Sequence, residues 1–305
     1  MPPQNHPMSQ SIVKLRAIVP ENAFTAGILG SERVGNGIVI NSDGLTLTIG
    51  YLITEATDVW LTAHHGRQVA GHALAYDQVT GFGLVMPLQS LDVPPLRLGS
   101  SAGLQTGGRA EVLSYAEFAN PQSVQVSARR EFAGAWEYLL EGAIFTVPAH
   151  PHWSGAALID GGGDLVGLGS LLVREAVAGE EINANMFVPI DLLKPILNDL
   201  TTRGHANRQS RPWLGIYAAQ ITGQVYITGV AEGSPAQLAD IREGDLITQV
   251  AGNDVDTLSE FYRRLWSLGP AGIEVPLTAV RGGMRFHVKA RSVDRSDLLK
   301  RPQAN

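Results

Sequence analysis

The feature that most constrains this chain is the recurrence of short apolar runs separated by turn residues. Ile12 to Val19, Gly37 to Ile40, Val59 to Ala63, Gln68 to Tyr76 and Gly83 to Val85 all have strand length. Asn41-Ser42-Asp43-Gly44 is a turn of the Asp-Gly kind, which returns the chain into Leu45-Thr46-Leu47-Thr48 as a hairpin. A second set comprises Ala110 to Tyr115, Gln122 to Ser127, Glu141 to Val147, Ala157 to Ile159, Leu165 to Leu172 and Met186 to Val188. Such spacing, in a chain with 34 glycines, predicts a mostly β protein built as a barrel or sandwich.

The grammar then changes. Asp191 to Leu200 carries apolar residues at helical spacing and stops before Gly204, with Pro195 read as lying near the helix start. His205 to Ser210 is a polar linker, and a smaller unit runs from Arg211 to Ser292. Its Gly233-Ser234-Pro235-Ala236 reads as an N-cap serine followed by proline at the first helical position. Glu243-Gly244-Asp245-Leu246-Ile247 is a turn into a strand, and Leu258, Phe261, Leu265 and Leu268 share one helical face. Val275 to Val280 and Arg285 to Ala290 form a closing hairpin across Gly282-Gly283.

At 305 residues and 44% hydrophobic, the chain can bury a core in more than one domain. A net charge of -6 argues against nucleic acid as a partner. Residues 293–305 mix Arg295, Lys300 and Arg301 with Asp294 and Asp297, which reads as a solvated tail. Without cysteine there are no disulfides and no thiolate chemistry. The polar, Pro-rich residues 1–11 read as disordered and lack the apolar run of an export signal. The expected location is therefore cytoplasmic, or periplasmic if the natural start lies elsewhere. No segment has the length to cross a bilayer, so no membrane partner is expected.

No cofactor is expected either. Asp160-Gly161-Gly162-Gly163-Asp164 joins two strands without a following helix or lysine, so it is a turn rather than a phosphate cradle. His64-His65-Gly66-Arg67 is a hairpin turn. His150 and His152 lack a third metal ligand at recognisable spacing, so no metal is expected.

The stretch that could carry chemistry is His150-Pro151-His152-Trp153-Ser154-Gly155-Ala156-Ala157-Leu158: a serine on a tight turn, followed by glycine and a strand. Together with its surroundings this resembles the HtrA/DegP family. Gly35 to Thr48 is similar to the family's strand pair leading to the catalytic histidine, and Asp77 to Val85 to the segment carrying its aspartate. Trp153-Ser154-Gly155 matches its Asn-Ser-Gly, and Met186-Phe187-Val188-Pro189-Ile190-Asp191 its Phe-Ala-Ile-Pro-Ile-Asp. The Gly233 to Ala236 and Glu243 to Ile247 motifs resemble those of its PDZ domains.

The resemblance implies a chymotrypsin/trypsin-like double β-barrel over 12–204, followed by an α+β PDZ domain over 211–292. It also implies Ser154 as nucleophile, with the backbone N–H groups of His152 and Ser154 as oxyanion hole. Peptides or protein C-termini would bind at Arg211, Trp213, Leu214, Gly215 and Ile216 by strand addition, with unfolded proteins as further partners and a homotrimer as the assembly.

Two departures redirect this expectation. The family's histidine position falls on Tyr51 and its aspartate position on Gly81. A serine hydroxyl needs a neighbouring base of near-neutral pKa, whereas a phenol ordinarily titrates near 10. Glycine has no carboxylate to orient a base. A site without its triad keeps at best roughly 10³ to 10⁴ over water. The sequence therefore points to a pseudoprotease that binds peptides or unfolded proteins. The alternative is a working serine endopeptidase in which Ser154 uses a rearranged base, with His150 and His152 the nearest candidates.

Overall fold

The computed structural model describes residues 7–115, 121–177 and 179–300, which form two units. The first contains the chain up to Arg130, Gly142–Asn207 and the end from Leu299. Residues 1–6, where the sequence predicts disorder, and 301–305 lie outside the described residues. Pro7–Ser11, included in the same prediction of disorder, instead forms a 3-10 turn with Ser9 and Ser11 buried. The rest of the predicted tail over 293–305 is not merely solvated: Val293 pairs with Trp213, Arg295–Leu298 form a 3-10 turn, and Lys300 N–H donates to Glu55.

Strands β1 (Ile12–Ile18), β2 (Glu32–Val39), β3 (Thr46–Ile49), β4 (Asp58–Thr62), β5 (Gln68–Tyr76) and β6 (Phe82–Pro87) close one barrel in the order β1-β2-β3-β6-β5-β4. Closure leaves no unpaired strand edge, and alternate residues face inward. Leu15, Ile38, Leu47, Leu61, Phe82 and Leu84 are fully buried. The turn between β2 and β3 is fixed by Asn41, whose Oδ1 accepts from the N–H groups of Asp43 (3.1 Å) and Leu45 (2.8 Å).

A second barrel follows from β7 (Arg109–Leu113), β8 (Gln122–Gly134), β9 (Tyr138–Val147), β10 (Ala157–Ile159), β11 (Leu165–Val177) and β12 (Glu180–Pro189), in the order β10-β11-β12-β9-β8-β7. Val112, Val126, Ile144, Leu158, Val166 and Phe187 form its core. Strand β8 runs further than the sequence predicts, because Arg129, Arg130 and Glu131 break the apolar pattern while the strand continues to Gly134; β9 starts three residues before the predicted Glu141, at Tyr138. The predicted helix over Asp191 to Leu200 is displaced: α1 (Ala26–Leu29) is a single turn earlier in the chain, and α2 starts only at Leu197 and ends at Arg203. Pro195 disfavours helical backbone in the residue before it, so the chain makes a 3-10 turn at Ile190–Leu192 first.

The second unit comprises Glu131–Glu141, the tip of the β8–β9 hairpin, together with Arg208–Leu298. Its sheet has the order β13 (Ile216–Ile221), β14 (Gln224–Val230), β15 (Leu246–Val250), β17 (Glu274–Arg281) and β18 (Met284–Arg291), with β16 (Asn253–Asp254) beside β15. In α3 (Pro235–Leu238), Ser234 Oγ accepts from Gln237 N–H as the N-cap read from sequence. In α4 (Leu258–Ser267), Thr257 and Glu260 form a reciprocal capping box. Leu258, Phe261, Tyr262 and Leu265 of α4 pack into a core with Leu214, Ile216, Val225 and Ile247.

The first barrel's long loop is held by a buried charge network. Glu55 accepts hydrogen bonds from Phe24 N–H (3.0 Å), Thr25 N–H (2.7 Å), Thr25 Oγ1 (2.6 Å) and Lys300 N–H (3.0 Å). Arg33, also buried, donates to the carbonyls of Tyr51 (2.7 Å) and Thr54 (2.9 Å). Burial pushes the Glu55 carboxyl up, but those hydrogen bonds outweigh it and hold the carboxyl below its ordinary range. A depressed carboxyl pKa contributes stability above the unfolded value, which is lost as pH falls through the folded one. Glu55→Ala should therefore cost about 1–3 kcal/mol at pH 7 by leaving buried donors unpaired. Urea midpoints of variant and wild type should converge as pH falls below the ordinary carboxylate range.

Candidate active site

Ser154 sits in the tight turn that enters β10. Gly155 N–H donates to Gly169 O (2.9 Å) and Ala156 N–H to Trp153 O (2.9 Å), closing the turn. Gly155 has φ +73°, and a Cβ there would lie 2.1 Å from Asn36 O, so both conformation and space require glycine. Asn36, buried in β2 of the first barrel, anchors the turn. Its Nδ2 donates to the carbonyls of Ser154 (2.9 Å) and His152 (3.1 Å), and its own N–H also donates to Ser154 O (2.9 Å). Its Oδ1 accepts from Tyr115 N–H (2.7 Å). From sequence Asn36 is legible only as part of a strand pair, since its partners lie 79 to 118 residues away.

Tyr51 occupies the 3-10 turn Gly50–Leu52 that follows β3. Its hydroxyl lies 2.8 Å from Ser154 Oγ and 2.9 Å from the carbonyl of Ser170. A phenol has one proton and a carbonyl can only accept. Both contacts are satisfied when Tyr51 donates to Ser170 O and Ser154 donates its own proton to the Tyr51 oxygen. Burial pushes the Tyr51 phenol up to about 12, against the opposing hydrogen bonds of Ser154 and Trp153. The phenol is thus a proton holder at neutral pH.

Gly81 lies close by through backbone alone: its carbonyl accepts from Gly50 N–H at 2.7 Å. In the same turn the buried Asp77 carboxylate accepts from Thr80 N–H (3.0 Å) and Thr80 Oγ1 (2.6 Å). The His152 N–H, expected to serve an oxyanion hole, donates to His150 Nδ1 at 3.1 Å. A neutral His150 ring that accepts at Nδ1 carries its proton on Nε2. His150 is fully buried, and its backbone N–H donates to Asn185 Oδ1 (2.6 Å). Among the described residues, no group of three His, Cys, Asp or Glu could hold a metal ion.

In the second unit the loop Trp213 to Ile216 gathers its N–H groups on one carboxylate. Glu137 accepts from Leu214 (3.1 Å), Gly215 (2.7 Å) and Ile216 (2.9 Å). Burial pushes the Glu137 carboxyl up to about 7, while the hydrogen bonds from Ile216, Leu214 and Gly215 and the charge of Arg295 oppose the rise. Gly215, at φ +79°, packs so closely that a Cβ would meet Ser234 Cβ at 2.3 Å. Trp213 is buried and pairs with Val293, while the Arg211 guanidinium lies over the Trp266 ring, 4.1 Å from its centroid. Glu137 was missed from sequence, and no local pattern near it signals a partner 77 to 79 residues away.

Asn36→Ala should cost on the order of 2–4 kcal/mol, because several buried backbone groups lose their partner at once. Chemical denaturation of the variant against wild type measures this, and a change below about 1 kcal/mol would refute the anchoring role.

The trypsin-like peptidase domain matches residues 35–168 and the PDZ domain residues 212–291. A protein of Hahella chejuensis named "probable periplasmic serine endoprotease DegP-like" is 24% identical over 85% of this chain and 56% of its own length. A protein of the same name from Chlamydia muridarum is 27% identical over 82% of this chain and 52% of its own. The chain thus spans about half the length of these curated relatives. The solved HtrA-type protease AlgW with decapeptide shares the fold at a TM-score of 0.56 and 18% identity, covering 97% of each chain. The relatives' periplasmic naming overturns the cytoplasmic location expected from the N-terminus, which rested on finding no export signal. A trypsin-like double barrel followed by a PDZ domain, with DegP-like and HtrA-type proteins similar along most of the chain, supports the HtrA/DegP-like family.

Proposed function

We propose that this protein is a catalytically defective member of its family that binds peptides or unfolded proteins through its PDZ domain, in the periplasm. The observation that carries the reading is the Tyr51 hydroxyl 2.8 Å from Ser154 Oγ, where acyl transfer needs a base. A phenol pushed up to about 12 does not accept the serine proton at neutral pH. Position 81 offers no carboxylate, and the His152 N–H is engaged by His150. His150 is a poor substitute base, because its Nδ1 lone pair already accepts that N–H. Peptide binding is supported by the PDZ match and by the convergent N–H groups of residues 214–216.

Two assays test the catalytic part. A fluorophosphonate probe, which labels activated serines, should leave Ser154 unmodified. A fluorescently labelled unfolded protein should be degraded no faster by wild type than by Ser154→Ala. Cleavage that disappears in Ser154→Ala would establish a working endopeptidase and refute the proposal.

A further inference from the structure

The carboxylate-binding loop of the PDZ domain is filled by the chain's own hairpin. Three successive N–H groups, from Leu214, Gly215 and Ile216, converge on the Glu137 side-chain carboxylate. Such a cluster of backbone donors is an anion site. The neighbouring contact fixes the register: Ala218 N–H, two residues along β13 from Ile216, donates to Ala135 O at 2.9 Å. Ala135 lies two residues before Glu137. The matched two-residue steps are those of a peptide added as a strand, with the Glu137 side chain standing where a terminal carboxylate would lie.

Three further contacts hold the hairpin in place. Tyr262 of α4, fully buried, donates its hydroxyl proton to Gly134 O (2.7 Å) and accepts from Glu137 N–H (3.2 Å). Leu139 packs into the core formed by Leu214, Ile216, Phe261 and Leu265. Arg263 of α4 pairs with Glu131 at the outer end. Trp136, between the two anchoring residues, remains 36% exposed and stacks on Tyr138. Glu137 itself has φ +55°, a left-handed conformation that disfavours a residue with a Cβ. The hairpin accepts that cost at the residue whose carboxylate reaches the loop.

We propose that Glu137 is an internal ligand of the PDZ loop, and that a free protein C-terminus binds there only by displacing the hairpin of residues 131–141. This rests on the peptide-binding reading of the domain given above. A tethered ligand acts at an effective concentration in the millimolar range, so a peptide in solution meets a largely occupied site. Its apparent affinity falls in proportion to the fraction of molecules with the loop open. A C-terminus that competes must supply an ionised carboxylate, a strand-forming backbone and an apolar final side chain suited to the groove beside α4.

The test uses the full-length chain and a short fluorescent peptide ending in valine, as the free acid and as the C-terminal amide. Anisotropy should show Glu137→Ala binding the free acid at least about tenfold more tightly than wild type, as expected for a loop closed in nine-tenths of molecules or more. The amide should bind weakly to both. Glu137→Gln, which keeps shape and an acceptor oxygen, should fall between them and guards against misfolding of the alanine variant. Independently of peptide, the amide resonances of Gly215 and Ile216 should move in Glu137→Gln relative to wild type. Equal, tight binding of the free acid by wild type and Glu137→Ala would overturn the internal ligand while leaving peptide binding intact. Unmoved resonances would overturn it directly. Moved resonances with no binding by any variant would remove the peptide-binding reading and reduce Glu137 to a structural strut, ending the proposal.

Discussion

The candidate site depends on how one amide is bonded. Asn36 belongs to the first barrel, yet its side chain fixes the turn that carries Ser154 in the second. Its carboxamide can donate and accept at once, and it does both, binding the carbonyls of residues 152 and 154 and the Tyr115 N–H. No apolar residue could replace it without stranding these buried groups. With the turn so anchored, Tyr51 and Ser154 meet across the cleft at 2.8 Å.

Across that cleft the two hydroxyls and the Ser170 carbonyl form a hydrogen-bond chain. Ser154 hands its proton toward Tyr51, and Tyr51 hands its own to the Ser170 carbonyl. Each oxygen is satisfied, and the buried phenol, pushed up to about 12, keeps its proton at neutral pH. The His150–His152 contact has the same character: a backbone N–H that could steady developing charge is spent inside its own loop. These contacts tie the loop to its own backbone and to the facing barrel.

Much of the fold was legible because its signals are local. The Asn41 turn, the Ser234 cap and the face of α4 formed by Leu258, Phe261 and Leu265 follow from residues no more than four positions from the next. The errors were local conflicts as well. Pro195 moved the start of α2 later, and the polar Arg129-Arg130-Glu131 concealed the outer half of β8. That Tyr51 and Ser154 belong to one site was legible only through the motifs around them, and the structure places their hydroxyls 2.8 Å apart.

The sequence by itself determined the strand pattern and the order of the two domains, because periodicity, turn chemistry and motif spacing are properties of neighbours along the chain. Only the tertiary structure decided what the site residues touch. That Tyr51 bonds Ser154, that the His152 N–H turns to His150, and that Glu137 fills the loop at Leu214 to Ile216 all depend on side-chain direction. The first and last also join residues roughly 80 to 100 positions apart. No local pattern encodes such contacts, because the hydrogen bond forms only after the barrels and the sheet have brought donor and acceptor together.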